Sequence, residues 1–242
     1  MNYSQDLIRI MSDIIEFKKS PIKGIFIEPD KKDIHNIKAL IIGPKNTPYE
    51  NGFFFFYIKM PSNYPKSPPF VKFETIDGVV RFNPNLYKNG KVCLSILGTW
   101  KGPGWLPTMT LSSVLLSIQS LLNEQPIINE PGHEKIKCTD NISLEYNHYI
   151  IYYTYKLAIL NVLKNKFKKY KCFQNIIKKS FNTNKKNIMN NLKSYDITIG
   201  SKLIIGELYF LPKNLIIDFS KLLVEYNYFL TDSIFKILSS DM

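Results

Sequence analysis

Apolar residues recur at helical spacing near the start of the chain. They are Leu7, Ile10, Met11, Ile14 and Ile15. A spacing of three to four residues places such side chains on one face of a helix. The pattern ends at Ser20-Pro21, because proline cannot continue a helix interior. It predicts an amphipathic first helix over residues 4–19.

Four strand-like runs of β-branched and aromatic residues follow, separated by turns rich in proline, glycine and asparagine. They cover residues 22–28, 35–43, 52–60 and 70–73. The connections between them are short, whereas a parallel pair would need a crossover of about a dozen residues or more. The runs therefore predict a four-stranded antiparallel meander.

A second amphipathic helix is predicted after Thr110, which is a favourable N-cap residue. Its apolar face would consist of Leu111, Val114, Leu115, Ile118, Leu121 and Leu122, and would pack on the sheet. From residue 136 the chain alternates between lysine- and asparagine-rich stretches and apolar ones. We therefore predict an α+β core over residues 1–135 and a mostly helical C-terminal extension over residues 136–242.

Composition narrows the setting of the protein. A length of 242 residues with 45% hydrophobic content is enough to form a core. The three cysteines are unevenly spaced and odd in number, which argues against a disulfide framework and favours a reducing compartment, the cytosol or the nucleus. No signal peptide and no membrane span are expected from the sequence.

The net charge of +12 raises the question of nucleic acid as a partner. Arg9 and Arg81 are the only arginines, although arginine is the residue that phosphate and guanine recognition favours. The lysines of the extension form no long block, so a solvated helix face explains them better than a surface for nucleic acid or acidic membranes. Composition therefore argues against nucleic acid as a main partner.

A composite motif surrounds Cys93. An Asn83-Pro84-Asn85 turn places Asn85 eight residues before the cysteine, an Asn89-Gly90 turn lies between them, and Trp105-Leu106-Pro107 follows. A lone cysteine is usually a buried packing residue. Because several features occur together in order, the motif indicates a functional cysteine.

These features resemble the active-site segment of ubiquitin-conjugating enzymes. The resemblance covers residues 1–135 and includes Gly43-Pro44, Tyr64-Pro65 and the helix over residues 112–122. The Phe82 to Tyr87 opening and the insertion from Gly98 to Trp105 are most similar to the branch that contains the Z-type enzyme and the conjugating domain of Apollon. The resemblance implies the UBC-like fold, with an N-terminal helix, a four-stranded meander and packing helices.

The resemblance also implies a reaction and its residues. Cys93 would accept ubiquitin, or a ubiquitin-like protein, from an activating enzyme as a thioester and pass it to a lysine amine. Asn85 would either stabilise the oxyanion or support the active-site loop. Glu130 and Asn129 are candidate gate residues near the attacking lysine, although they could equally form only a turn. Asn83 stands where the family usually has histidine, a change that concerns loop geometry more than catalysis.

The implied partners are ubiquitin, the activating enzyme, a ligase and lysine-bearing substrate proteins. The residues expected to meet the activating enzyme or the ligase are Arg9, Tyr64, Pro65, Lys66, Leu106 and Pro107. No cofactor is expected, because the activating enzyme uses the ATP. Lys66 replaces a phenylalanine that some family members use as a ligase anchor, so partner choice is expected to differ.

Three other kinds of site or function fit the sequence less well. A cysteine hydrolase would need a base near Cys93, and His133, the best of the three histidines, lies in no matching motif. A zinc site lacks paired ligands, and no phosphate-binding glycine loop is present. The main alternative is a catalytically silent ubiquitin-binding or scaffold protein of the same fold. The enzyme hypothesis requires the Cys93 sulfur to be reachable at the surface, beside a groove for a peptide tail.

Overall fold

A four-stranded antiparallel sheet is the larger of two sheets in the computed structural model, which describes residues 4–204, 211 and 215–240. Its strands lie side by side in chain order as β1 (Ile25–Pro29), β2 (Asn36–Ile42), β3 (Phe53–Lys59) and β4 (Phe70–Phe73). The predicted meander is confirmed, and the bounds differ from the predicted ones only at the strand ends.

Helix α1 (Gln5–Lys19) and helix α2 (Leu111–Leu121) contact each other. The predicted apolar face of α2 is buried, whereas in α1 only part of the predicted face is buried: Ile10 and Ile14 are enclosed, and Met11 and Ile15 are 39% and 49% exposed. Thr110 caps α2 as predicted, because its Oγ1 accepts from the Ser113 N–H at 3.3 Å while Ser113 Oγ accepts from the Thr110 N–H at 3.2 Å. The reciprocal bonds satisfy donors that a helix start otherwise leaves unpaired.

Strand β3 is buried on both faces. The side chains of Phe53–Phe56 show no alternation of burial. Phe54 packs edge-on against Phe82, whereas Phe55 stacks on Tyr170 with ring centroids 4.4 Å apart. Successive strand side chains point to opposite faces, so the segment around Tyr170 covers the face that Phe55 presents.

The elements after α2 are mostly helical, as predicted. They are two 3₁₀ helices (Pro126–Asn129 and Lys168–Phe173), helix α3 (Asn141–Tyr153) continuing as a π-helix (Thr154–Asn161), helices α4 (Gln174–Thr198) and α5 (Phe219–Ser240), and strands β5 (Ser201–Ile204) and β6 (Leu215–Asp218). The antiparallel pair of β5 and β6 was not predicted. Each strand has four residues, too few for a strand period to stand out from a helical one.

The chain divides into two compact units, Met1–Ile177 and Lys178–Met242. Helix α3 lies in the first unit although it follows residue 135. The predicted boundary at residue 135 marks where the composition changes and the family resemblance ends, and it stays a prediction. None of the helices in the described part of the chain combines the length and apolar character needed to cross a bilayer.

Candidate active site

Cys93 faces Asn85 across a tight reversal of the chain. The Cys93 N–H donates to the Asn85 carbonyl oxygen at 2.9 Å. The reversal requires Gly90, whose φ is +91° and where a Cβ atom would lie 2.6 Å from the Phe73 carbonyl oxygen. The eight-residue spacing of the motif therefore brings the two residues together.

The Asn85 side chain supports the loop that carries Cys93. Its Nδ2 donates to the Cys93 carbonyl oxygen at 2.7 Å, and the residue is buried. Breaking such a bond would leave buried polar groups without partners, so it holds the loop firmly. Of the two expected roles, this arrangement displays loop support. Oxyanion stabilisation would use the same amide, which has a second hydrogen to donate.

Asn83 anchors the turn from inside the protein. It is fully buried, and its Nδ2 donates to the Leu121 carbonyl oxygen at 2.8 Å and to the Tyr49 hydroxyl at 3.0 Å. Its Oδ1 accepts from the Asn85 N–H at 2.9 Å. The residue that replaces the usual histidine therefore ties the turn to the end of α2.

The expectation of a surface sulfur is wrong for this structure, because Cys93 is only 1% exposed. The following loop folds back: Thr99 Oγ1 donates to the Val92 carbonyl oxygen at 2.7 Å and accepts from the Leu94 N–H at 3.0 Å. Further along, a Cβ atom at Gly102 would lie 3.0 Å from the Ser95 Cβ. Acylation of Cys93 would therefore require local movement.

A cleft is nevertheless present next to this segment. Its volume is about 250 Å³, and its lining includes Phe70, Lys72, Lys91, Val92, Leu97 and Thr99. Val92 immediately precedes the cysteine in the chain, and Leu97 and Thr99 belong to the turn that follows it. The cleft therefore borders the segments on either side of Cys93, and Cys93 itself does not line it.

We predict that the three thiols differ in their reactivity toward a thiol reagent in the native protein. Cys138 and Cys172 are exposed and unpaired, whereas Cys93 is unpaired and buried. The two exposed thiols should react faster than Cys93, because the reagent needs access to the sulfur. Cys172 should be the slower of the two, because partial burial raises its pKa. Spectroscopic titration with a disulfide reagent measures the phases. The Cys138→Ser/Cys172→Ser double variant should retain only the slowest phase, and a uniform fast reaction of all three would contradict the buried state.

The two candidate gate residues contact groups that hold the turn. Glu130 is 6% exposed, and its carboxylate lies 3.8 Å from Arg81 Nη2. Asn129 Nδ2 lies 3.4 Å from Asn83 Oδ1 and 3.3 Å from the Leu121 carbonyl oxygen. Sequence reasoning missed Arg81, although a signal existed: it is one of two arginines and stands two residues before the motif.

Comparison with known proteins decides the family. The family model described as ubiquitin-conjugating enzyme matches residues 9–150, more than half of the chain. The chain belongs to the ubiquitin-conjugating enzyme family. It is 48% identical to the ubiquitin-conjugating enzyme E2 Z of Xenopus tropicalis over 179 aligned residues. These residues cover 74% of this chain and 57% of that protein. For E2 Z of Homo sapiens the identity is 47% over 178 residues, with coverage of 73% and 50%.

The match to E2 Z confirms the predicted branch, and so does a second kind of relative, BIRC6, which is also called Apollon. The dual E2 ubiquitin-conjugating enzyme/E3 ubiquitin-protein ligase BIRC6 of Homo sapiens is 43% identical over 179 residues, which cover 70% of this chain and 4% of that protein. The chain spans about half the length of the E2 Z proteins that it matches.

Two loops of the chain lie together at the predicted ligase surface. Trp105 Nε1 donates to the Pro65 carbonyl oxygen at 2.6 Å and so joins them. Leu106 is 58% exposed, and Lys66 and Pro107 are also exposed. Tyr64, by contrast, is 2% exposed, so its side chain packs inside the protein. The surface offered to a partner would consist of the other residues.

Asp13 of α1 connects these loops to the helix. Its Oδ1 accepts from Arg9 Nε at 2.8 Å, and its Oδ2 accepts from the Tyr64 hydroxyl at 2.5 Å and the Leu111 N–H at 2.9 Å. Arg9 also donates to the carbonyl oxygens of Pro107 and Met109, at 3.0 and 2.7 Å. Its guanidinium therefore positions the loop, and a direct contact with the activating enzyme stays a prediction.

We expect Asp13→Ala to lower the free energy of unfolding by about 3 kcal/mol, because it removes the counter-ion of the partly buried Arg9 and leaves the Tyr64 hydroxyl and the Leu111 N–H without their acceptor. Urea denaturation followed by fluorescence measures the loss. Asp13→Asn is the matched control, since it keeps the size and one acceptor oxygen and should lose less. Equal stability of the alanine variant and the wild type would refute the role of Asp13 as a structural link.

Proposed function

We propose that the chain is an active ubiquitin-conjugating enzyme that carries ubiquitin, or a ubiquitin-like protein, as a thioester on Cys93. One observation carries the proposal: two hydrogen bonds join the backbone of the unpaired Cys93 to Asn85. The Cys93 N–H donates to the Asn85 carbonyl oxygen, and Asn85 Nδ2 donates to the Cys93 carbonyl oxygen. A nucleophile and an amide donor are thus kept next to each other, as acyl transfer requires.

The proposed reaction has two steps. The Cys93 thiolate attacks the thioester carbonyl that joins ubiquitin to the activating enzyme, so a new carbon–sulfur bond forms and the enzyme's cysteine leaves as a thiolate. A lysine amine then attacks the Cys93 thioester, an amide forms, Cys93 leaves as a thiolate, and the amine gives up a proton. Sulfur suits the second step because a thioester reacts with amines more readily than an oxygen ester does.

The proposed partners follow from this reaction. An activating enzyme supplies the thioester and consumes the ATP, so the chain needs no cofactor of its own. A ligase would dock on the exposed loops that carry Lys66, Leu106 and Pro107, and a substrate protein would bring the lysine. Glu130 and Asn129 remain candidate gate residues for that lysine. The proposed location is the cytosol or the nucleus.

One observation favours the silent scaffold as a second candidate. Cys93 is 1% exposed, and a permanently enclosed sulfur could not be charged. A scaffold would bind ubiquitin without forming a covalent bond to it. The two candidates therefore differ in whether the native protein ever presents this sulfur to an activated donor.

A charging assay separates the two candidates. The protein is incubated with activating enzyme, ATP and ubiquitin or a ubiquitin-like protein, and the products are run on gels with and without thiol. The enzyme proposal expects an adduct that disappears with thiol. No adduct with any activating enzyme tested would favour the scaffold.

A further inference from the structure

Arg81 is a buried arginine to which the proposed reaction assigns no role. It is 6% exposed, and its Nη2 is hydrogen-bonded to the Pro84 carbonyl oxygen. Its guanidinium carbon lies 3.9 Å from the centre of the Tyr87 ring, and the same Nη2 lies 3.8 Å from the Glu130 carboxylate. A buried cation is costly unless it is paired and hydrogen-bonded, so this arrangement calls for an explanation.

The contact with Pro84 bears directly on Asn85. The peptide group between Pro84 and Asn85 is held at both of its polar atoms: its oxygen by Arg81, and its N–H by Asn83 Oδ1 at 2.9 Å. A peptide group is planar and rigid. Holding both atoms therefore sets the direction in which Asn85 leaves the turn, and from there its Nδ2 reaches the Cys93 carbonyl oxygen.

We infer that Arg81 is a positioning residue for the transfer reaction, an inference that rests on the proposed function. Arg81 acts through the Pro84 carbonyl and keeps the Asn85 amide beside Cys93. The Tyr87 ring and the Glu130 carboxylate hold the guanidinium in its orientation. The planar fork of arginine can stack, pair and donate at the same time, whereas a lysine is a single point charge.

The Tyr149 hydroxyl adds a contact from outside the turn. It accepts from the Arg81 N–H at 3.2 Å and thus holds the backbone of the same residue. Tyr149 belongs to α3, which follows residue 135. Part of the predicted extension therefore supports the turn that carries Asn85.

Arg81→Lys tests the inference with the two steps measured apart. The thioester is formed first and purified, and its discharge to free lysine is then followed in a single turnover. We expect discharge to slow on the order of tenfold to a hundredfold, as for a misplaced catalytic group, while the amount of thioester formed changes little. Unchanged discharge in Arg81→Lys would overturn the inference.

A double-variant cycle distinguishes positioning from a general loss of stability. If Arg81 acts through Asn85, Arg81→Lys/Asn85→Ala should discharge within about twofold of Asn85→Ala alone. Thr75→Val is the structural control, since it removes a buried hydroxyl that accepts from the Phe55 N–H at 2.7 Å within the sheet. It should lower the melting temperature and leave discharge unchanged. Independent, multiplying effects of Arg81→Lys and Asn85→Ala would overturn the inference.

A measurement that does not depend on thioester formation distinguishes failure of this inference from failure of the proposed function. The side-chain amide signals of Asn85 in a nitrogen–proton NMR spectrum, assigned with Asn85→Ala, report the bond to the Cys93 carbonyl. In Arg81→Lys we expect these signals to move toward the shifts of a free amide and to exchange faster with water. Unmoved signals would overturn the inference, whether or not the wild type forms a thioester.

Glu130→Gln tests whether this carboxylate acts through Arg81. The positioning role expects slower discharge with the same pH dependence as the wild type, because the attacking lysine still loses its proton to solvent. Added to Arg81→Lys, the change should have little further effect. A pH profile that changes shape in Glu130→Gln would assign Glu130 to proton transfer and overturn its positioning role.

Discussion

Cys93→Ala is expected to form no covalent adduct with ubiquitin, and Cys93→Ser an adduct that survives thiol. Alanine removes the nucleophile, whereas serine forms an oxygen ester that thiols and amines cleave slowly. The measurement is the charging assay on gels with and without thiol.

The exposed cysteines provide matched controls for this experiment. Cys138→Ala and Cys172→Ala make the same change at unpaired thiols and should leave the thiol-labile adduct intact. An adduct that persists in Cys93→Ala and disappears in one of the other two variants would place the thioester elsewhere. An adduct of equal yield in all three would mean that no single cysteine carries it.

Asn85→Ala is expected to keep charging and to slow discharge to lysine on the order of a hundredfold to a thousandfold, the range seen when one oxyanion donor is removed. The structure adds a second reason, since the same amide holds the Cys93 carbonyl at 2.7 Å. Loss of this bond frees the loop at the step in which an amine must meet the carbonyl in a narrow geometry. Single-turnover discharge of purified thioester measures the effect.

Asn85→Asp is the control of matched shape. A carboxylate has the outline of the amide but no N–H to donate, so it should be about as slow as alanine. If both variants lose charging and discharge equally, Asn85 serves folding rather than transfer. Thermal unfolding of each variant would show the same loss as lower stability.

The helices and the sheet could be predicted because their signals are local. The apolar spacing of α1 and the cap at Thr110 lie within a few residues of the elements that they define. The meander followed from short connections, which limit the possible strand pairings. The β5–β6 pair escaped prediction, since four-residue strands carry too little pattern.

The residues of the site could be predicted from the sequence, whereas their burial and their hydrogen-bond partners could not. The motif identified Cys93 and Asn85 and implied that they work together, which their two hydrogen bonds agree with. It did not predict the burial of Cys93 or of Tyr64, because burial depends on segments that fold over them. It also assigned Arg9 to partners, whereas the guanidinium donates to a carbonyl oxygen 98 positions away in the chain.

The sequence by itself predicted the helix–meander–helix order of the core, the family, and the pairing of Cys93 with Asn85. All three depend on residues that are close together in the chain. Only the tertiary structure decided that Cys93 is enclosed, that Asp13 joins α1 to the two loops, and that Arg81 holds the turn before Asn85. The links of Asp13 join segments that are distant in the chain. Arg81 bonds to Pro84 only three positions away, but Glu130 and Tyr149, which hold it, come from distant segments. Packing of such segments leaves a charged or polar group away from water, where it requires a partner.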